Sequence, residues 1–187
     1  LPIPHPLVPT PMKAQILALL ALVASCGLAS CSDTIDTAQE RRATNERNFL
    51  SFADSAGYEK VHLPGNYADS YVYIKWQKHG TGTVTPAQND AVKVRYRGYL
   101  TSDWTSNSRS AQPVDQGNWD QPVINDYSRV NSYIDGFKYA LQSLKVGDEV
   151  SVVIPWYLGY GSSITRYIPS YSSLFFQIKL EEISTPL

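Results

Sequence analysis

Cysteine is scarce in this chain. Its 187 residues include two, Cys26 and Cys31, which excludes a disulfide-rich scaffold and any zinc site built on cysteines. Histidine is nearly as rare, and His5, His62 and His79 are not at metal-ligand spacing with another ligand. Charge of one sign is absent too: 16 Lys and Arg face 17 Asp and Glu, for a net charge of -1. No basic excess points to nucleic acid and no acidic excess to a solvating tail. No Gly-x-Ser-x-Gly elbow or phosphate loop occurs. With 43% apolar and 18% charged residues the composition is that of a globular protein, which excludes collagen, coiled coil and wholesale disorder. What the chain has in quantity is aromatic: 4 Trp, 13 Tyr and 5 Phe, none of them before Phe49. The first quarter and the remainder are therefore different objects.

The start reads as an address. Residues 1–11 precede the only methionine, Met12, and are expected to be an upstream extension or an artefact, outside the fold. Lys13 then supplies a short positive region and Ile16 to Val23 an apolar one, a secretory pattern too short for a comfortable spanning helix. Leu28-Ala29-Ser30-Cys31 resembles the lipobox of a bacterial lipoprotein signal, whose cysteine thiol receives diacylglycerol. Val23-Ala24-Ser25-Cys26 is a rival. Cys31 is preferred because Ser32-Asp33-Thr34 makes the chain polar immediately after it, whereas Gly27-Leu28-Ala29 keeps it apolar after Cys26. The expected layout is a signal peptide over 12–30, a tether over 31–70, and a folded domain over 71–184. The protein is expected to be exported and held in the cell envelope, in the outer membrane, by a lipid on Cys31.

Within the tether, Thr37-Ala38-Gln39-Glu40 fits a capping box, and Phe49, Phe52, Ala53 and Ala56 recur at helical spacing before Gly57. That predicts a helix over about 37–56, either docked by its second half or solvated throughout. Beyond Pro64-Gly65-Asn66 the period changes to two. Residues 71–77 alternate, and so do Val92, Val94 and Tyr96 against Lys93, Arg95 and Arg97, the pattern of a sheet with one buried face. Residues 101–131 read as a long polar loop with isolated Trp104 and Trp119. Phe137, Ala140, Leu141 and Leu144 share one face of a short helix, and strands follow at 149–154 and from Leu174. The order implies an α+β fold, an antiparallel sheet with one helix on its apolar face.

The motifs along this stretch have a familiar order. They are Val94-Arg95-Tyr96-Arg97-Gly98, Tyr133-Ile134-Asp135-Gly136-Phe137, Leu144-Lys145-Val146-Gly147-Asp148, Ile154-Pro155, Leu158-Gly159-Tyr160-Gly161, Ile168-Pro169 and Ser173-Leu174-Phe175-Phe176. Together they resemble the FKBP-type peptidyl-prolyl cis-trans isomerases. The resemblance implies a bent five-stranded antiparallel sheet wrapped on one short helix, with a shallow aromatic pocket between them. It implies catalytic roles for Tyr96 as a wall, Phe137 as the floor in place of the usual Trp, Tyr160 as the loop hydroxyl and Phe176 as the far wall. Tyr133 and Ile134 at the helix start, Ile168 at the rim and Trp104 would bind substrate.

The chemistry suits such a set. Rotation about an Xaa-Pro bond is opposed by amide resonance, with a barrier of roughly 18–20 kcal/mol, and no bond is broken. No nucleophile, metal or cofactor is required, only tighter binding of the twisted amide than of either planar form. The expected substrates are proline-containing peptides or unfolded exported proteins. One departure stands out. After its Tyr-x-Gly strand the family has Gly-x-x-Phe-Asp-Ser-Ser, where this chain has Thr101-Ser102-Asp103-Trp104-Thr105-Ser106. Aligning Trp104 with the Phe puts Thr105 at the Asp position, so no carboxylate is matched. Asp115, Asp120, Asp126 and Asp135 read as solvated. The alternative function is a non-catalytic FKBP-like binding lipoprotein that captures a partner or glycan through the long 101–131 loop.

Overall fold

A computed structural model describes residues 32–62, 70–107, 110–124 and 126–184. The segment expected to be a signal peptide, with Cys26 and Cys31, lies outside the described residues. The chain divides into two compact units, Leu1–Thr37 and Ala38–Leu187, and all contacts below belong to the second. The expected boundary at Tyr71 falls within this unit.

Helix α1 spans Ser32–Leu50 and tightens into a 3-10 turn over Ser51–Asp54. It begins earlier than the periodicity predicts, so Thr37 lies inside the helix and is not its N-cap. The strands are β1 (Glu59–His62), β2 (Tyr71–Lys78), β3 (Ala91–Leu100), β4 (Asp115–Gly117), β5 (Ser128–Arg129), β6 (Glu149–Ile154) and β7 (Leu174–Ser184). Between them lie α2 (Thr101–Asn107) and α3 (Asp135–Leu141). The sheet is antiparallel in the order β1-β2-β6-β7-β3-β4, with β5 also on the outer edge of β3. Among the described residues it has seven strands, against the five that the resemblance implies. Four of them, β2, β3, β6 and β7, are those that the periodicity predicts, and β1 and the two short strands β4 and β5 come from segments read as tether and loop.

Alternation sorts the side chains onto two faces. Val72, Ile74, Val92, Val94, Val150, Val152, Ile154, Phe176, Ile178 and Leu180 point to one face, where Phe137, Ala140, Leu141 and Leu144 from the α3 region close the core. A sheet of this width would leave its other face wet. Here Tyr73, Tyr99, Val153 and Phe175 on that face are covered by Phe49 and Phe52 from the end of α1 and by Trp104 of α2. Of the two alternatives for the N-terminal helix, its second half docks.

Two loops fix the ends of these elements. Asp148, buried in the turn before β6, accepts hydrogen bonds from the amides of Lys145 (2.8 Å) and Gly80 (2.6 Å). Residues 155–173, between β6 and β7, fold back on themselves. The Gly161 amide reaches the Trp156 carbonyl (3.0 Å), the Tyr171 amide reaches that of Gly161 (2.8 Å), and Thr165 and Ile168 exchange bonds.

Candidate active site

Beneath that loop the sheet and α3 leave a cavity of about 230 Å³. Tyr96 of β3, Phe176 of β7, Phe137 of α3, Tyr133 and Ile134 at the start of α3, Tyr160 of the loop, Ser132 and Asp115 of β4 line it. The rings interlock edge to face: Phe137 and Phe176 have centroids 5.2 Å apart at 88°, and Tyr96 and Phe137 5.3 Å apart at 76°. Tyr133 stacks on Phe137 at 4.6 Å. Such pairs add to their burial and hold each ring in one orientation.

Two missing side chains make the arrangement possible. A Cβ on Gly98 would sit 2.3 Å from Cε1 of Phe176, and one on Gly117 would sit 2.3 Å from Cε1 of Tyr96. Glycine at these positions lets the two wall rings lie against the backbone of neighbouring strands.

One ionisable group enters this apolar setting. Asp115 is half-buried, and the Tyr96 hydroxyl hydrogen-bonds to its carboxylate. Burial pushes the Asp115 carboxyl above its ordinary value, against the hydrogen bonds from the Gln116 backbone and Tyr96, which lower it. The Tyr96, Tyr133 and Tyr160 hydroxyls are pushed upward, first by burial and further by the negative charge of Asp115. All three therefore remain protonated donors at neutral pH.

Tyr96, Tyr133, Ile134, Phe137, Tyr160 and Phe176 converge on one cavity. Ile168 is buried in the main core next to it. Trp104 is elsewhere: its indole stacks on Phe175 at 4.0 Å and leans on Tyr99, on the sheet face turned away from α3. The reason is local. Residues 101–107 form α2, a short helix on that face of the sheet, and Phe175 points opposite to Phe176. A carboxylate does reach the cavity, from Asp115, which reads from sequence as solvated. Val114-Asp115, an apolar-acidic pair in the polar stretch, is the signal that could have found it.

A larger, more open hollow of about 690 Å³ lies at the other end of the sheet. Tyr58 and Trp76 border it, but the rest of its wall is glycine and polar or charged side chains, including Glu59, His79 and Lys145. It offers no ring of apolar groups to enclose a prolyl residue.

Residues 82–181 match the family of FKBP-type peptidyl-prolyl cis-trans isomerases. The chain belongs to that family. Among solved structures it is similar to a peptidyl-prolyl cis-trans isomerase from Pseudomonas syringae pv. tomato, with 24% identity and a TM-score of 0.63, over 79% of this chain and 96% of that one. It is also similar to FkpA from Escherichia coli, with 21% identity and a TM-score of 0.65, over 93% of this chain and 73% of that one. No curated relative matches by sequence. In this FKBP-type chain the matched region contains the whole aromatic cavity and both glycines that shape it, while α1 and β1 lie before it.

Proposed function

We propose that the protein accelerates cis-trans rotation of Xaa-Pro bonds in exported proteins, acting from the cell envelope on a lipid anchor at Cys31. The observation that carries the enzymatic reading is one cavity in which five aromatic rings and Ile134 surround a single carboxylate. A prolyl ring seated on Phe137, between Tyr96 and Phe176, is out of water. A twisted amide has lost its resonance and has a less polar carbonyl, so it suffers less from that surrounding than the planar forms do. The barrier falls by that difference in binding. Tyr160 donates a hydrogen bond that fixes the peptide's direction. Asp115 accepts from Tyr96 and holds that wall in place.

A protease-coupled assay on Xaa-Pro peptides tests this reading. Catalysis at micromolar protein, lost in Phe176→Ala, supports it; no acceleration above the uncatalysed rate refutes it. The envelope location rests on the sequence of residues 12–34. Labelling with a radioactive fatty acid in cells should mark the protein and vanish in Cys31→Ser, and label retained in that variant moves the anchor to Cys26.

The binding-module reading also has an observation of its own. On the opposite face of β4, Arg97, Tyr99, Trp104, Pro113, Trp119 and Asp120 border a second hollow of about 360 Å³. Deleting the loop cannot test it, because that would remove β4 and Asp115. Trp119→Ala can: partner capture lost with isomerisation intact would assign binding to this hollow, and unchanged capture would exclude it.

A further inference from the structure

Helix α1 lies outside the matched family region, yet it is tied to the loop that covers the cavity. Asn45 makes the central contact. Its Oδ1 accepts the backbone N–H of Ser173 (3.0 Å) and its backbone carbonyl accepts the Ser173 hydroxyl (3.1 Å). Its own amide nitrogen is anchored to the Arg41 carbonyl one turn earlier (3.0 Å), so the side chain has no freedom to swing away. Ser173 is fully buried, and a buried N–H deprived of its acceptor is costly. One turn away Arg41 donates to the Ser170 hydroxyl (3.2 Å), and the Arg42 guanidinium lies 4.7 Å over the Trp156 ring. Three positions of the loop, Trp156 near its start and Ser170 and Ser173 near its end, are thus fastened to one stretch of helix.

What is fastened bears on the cavity. Between Trp156 and Ser170 the loop carries Tyr160 and Ile168, and its internal bonds transmit its end positions: Gly161 to Trp156, and Tyr171 to Gly161. Tyr171 is held at a φ of 59°, a left-handed conformation unfavourable for a non-glycine residue. Such a conformation persists only where its surroundings enforce it, and the two serines gripped by α1 flank it.

We propose that α1 is part of the isomerase, a clamp that sets the Tyr160 loop over the cavity, with Asn45 as its positioning residue. The inference rests on the isomerase reading above. Its test compares wild type, Asn45→Ala, Asn45→Asp and Arg41→Gln in the full chain, at a temperature where near-ultraviolet circular dichroism shows each folded. In Asn45→Ala, kcat/KM should fall about tenfold, mostly in kcat, because a loop displaced by a fraction of an ångström misorients the bound peptide. Asn45→Asp keeps the acceptor for the Ser173 amide but loses the donor to the Arg41 carbonyl, so it should recover part of that loss, and Arg41→Gln should show a smaller loss in the same direction. Unchanged kcat/KM in folded Asn45→Ala overturns the proposal, as does an aspartate variant no better than alanine. Amide exchange at Gly161 and Tyr171 gives a readout independent of catalysis. It should quicken in Asn45→Ala and in Arg41→Gln while the β6 amides stay protected, and unchanged exchange overturns the clamp. A wild type without isomerase activity refutes the enzymatic reading instead and leaves the clamp to be decided by exchange.

Discussion

Tyr160 and Asp115 are the two polar side chains whose removal separates the parts of the mechanism. Tyr160→Phe keeps the ring and deletes one hydrogen bond. A neutral bond of this kind contributes about 0.5–1.5 kcal/mol, so kcat/KM should drop about two- to tenfold with thermal stability nearly unchanged. Asp115→Asn removes the charge. In the native protein the carboxyl is shifted upward, so the folded state holds more protons than the unfolded state just above the ordinary carboxylate range. Stability contributed by this group is then present below its unfolded value and lost as pH rises through its folded value. Urea titrations across the acid range should show that dependence as the difference between wild type and Asp115→Asn, because Glu182, held below its ordinary value by hydrogen bonds from Lys93 and Tyr127, contributes with the opposite sign in both. A difference that grows in favour of the wild type as pH rises would contradict the burial argument. Most of the cavity residues were legible because each sits in a short motif with a fixed neighbour, as Tyr96 does with Gly98 and Phe137 with Gly136. Asp115 was not, because it sits on a three-residue strand in a polar stretch that gives no period from which its direction could be read.

Elements were legible where burial imposes a period. β2, β3, β6, β7 and α3 alternate or recur so regularly that their inward faces follow from sequence alone. β4 and β5 are three and two residues long, too short for any periodicity, and they exist because the free edge of β3 offers them partners. β1 is likewise specified by pairing with β2 rather than by a pattern of its own. The turn before β6 carries an element-scale prediction. Asp148→Ala strips the acceptor from the Lys145 and Gly80 amides, each part-buried hydrogen bond contributing about 0.5–1.5 kcal/mol, and it frees the start of β6 and the chain after β2 together. The melting temperature should fall clearly, while kcat/KM measured well below the transition should hold, since the turn lies at the far end of the sheet from the cavity. Loss of catalysis in the folded variant would show that the two ends are coupled.

At the scale of the molecule, the N-terminal helix covers one face of the sheet and α3 the other. The Phe49 and Phe52 side chains that seat it are nearly inaccessible to solvent. Phe52→Ala should cost about 3–5 kcal/mol, far more than a helix that only spaced the domain from a membrane would show. A change below about 1 kcal/mol in chemical denaturation would mean that this end is solvated after all. The sequence left docking and solvation level, because two aromatics at helical spacing do not say what they touch.

The position of β7 has a consequence in time. The last strand among the described residues is not at an edge but between β6 and β3, and it carries Phe176, the far wall of the cavity. Its partner β3 is paired across some eighty residues, Ala91 with Ser184 and Leu100 with Leu174. A growing chain that has been made as far as the loop after β6 has every other lining residue and no cavity. The site is completed only when β7 enters the sheet between β6 and β3, so the aromatic pocket forms in one late step rather than being built up wall by wall.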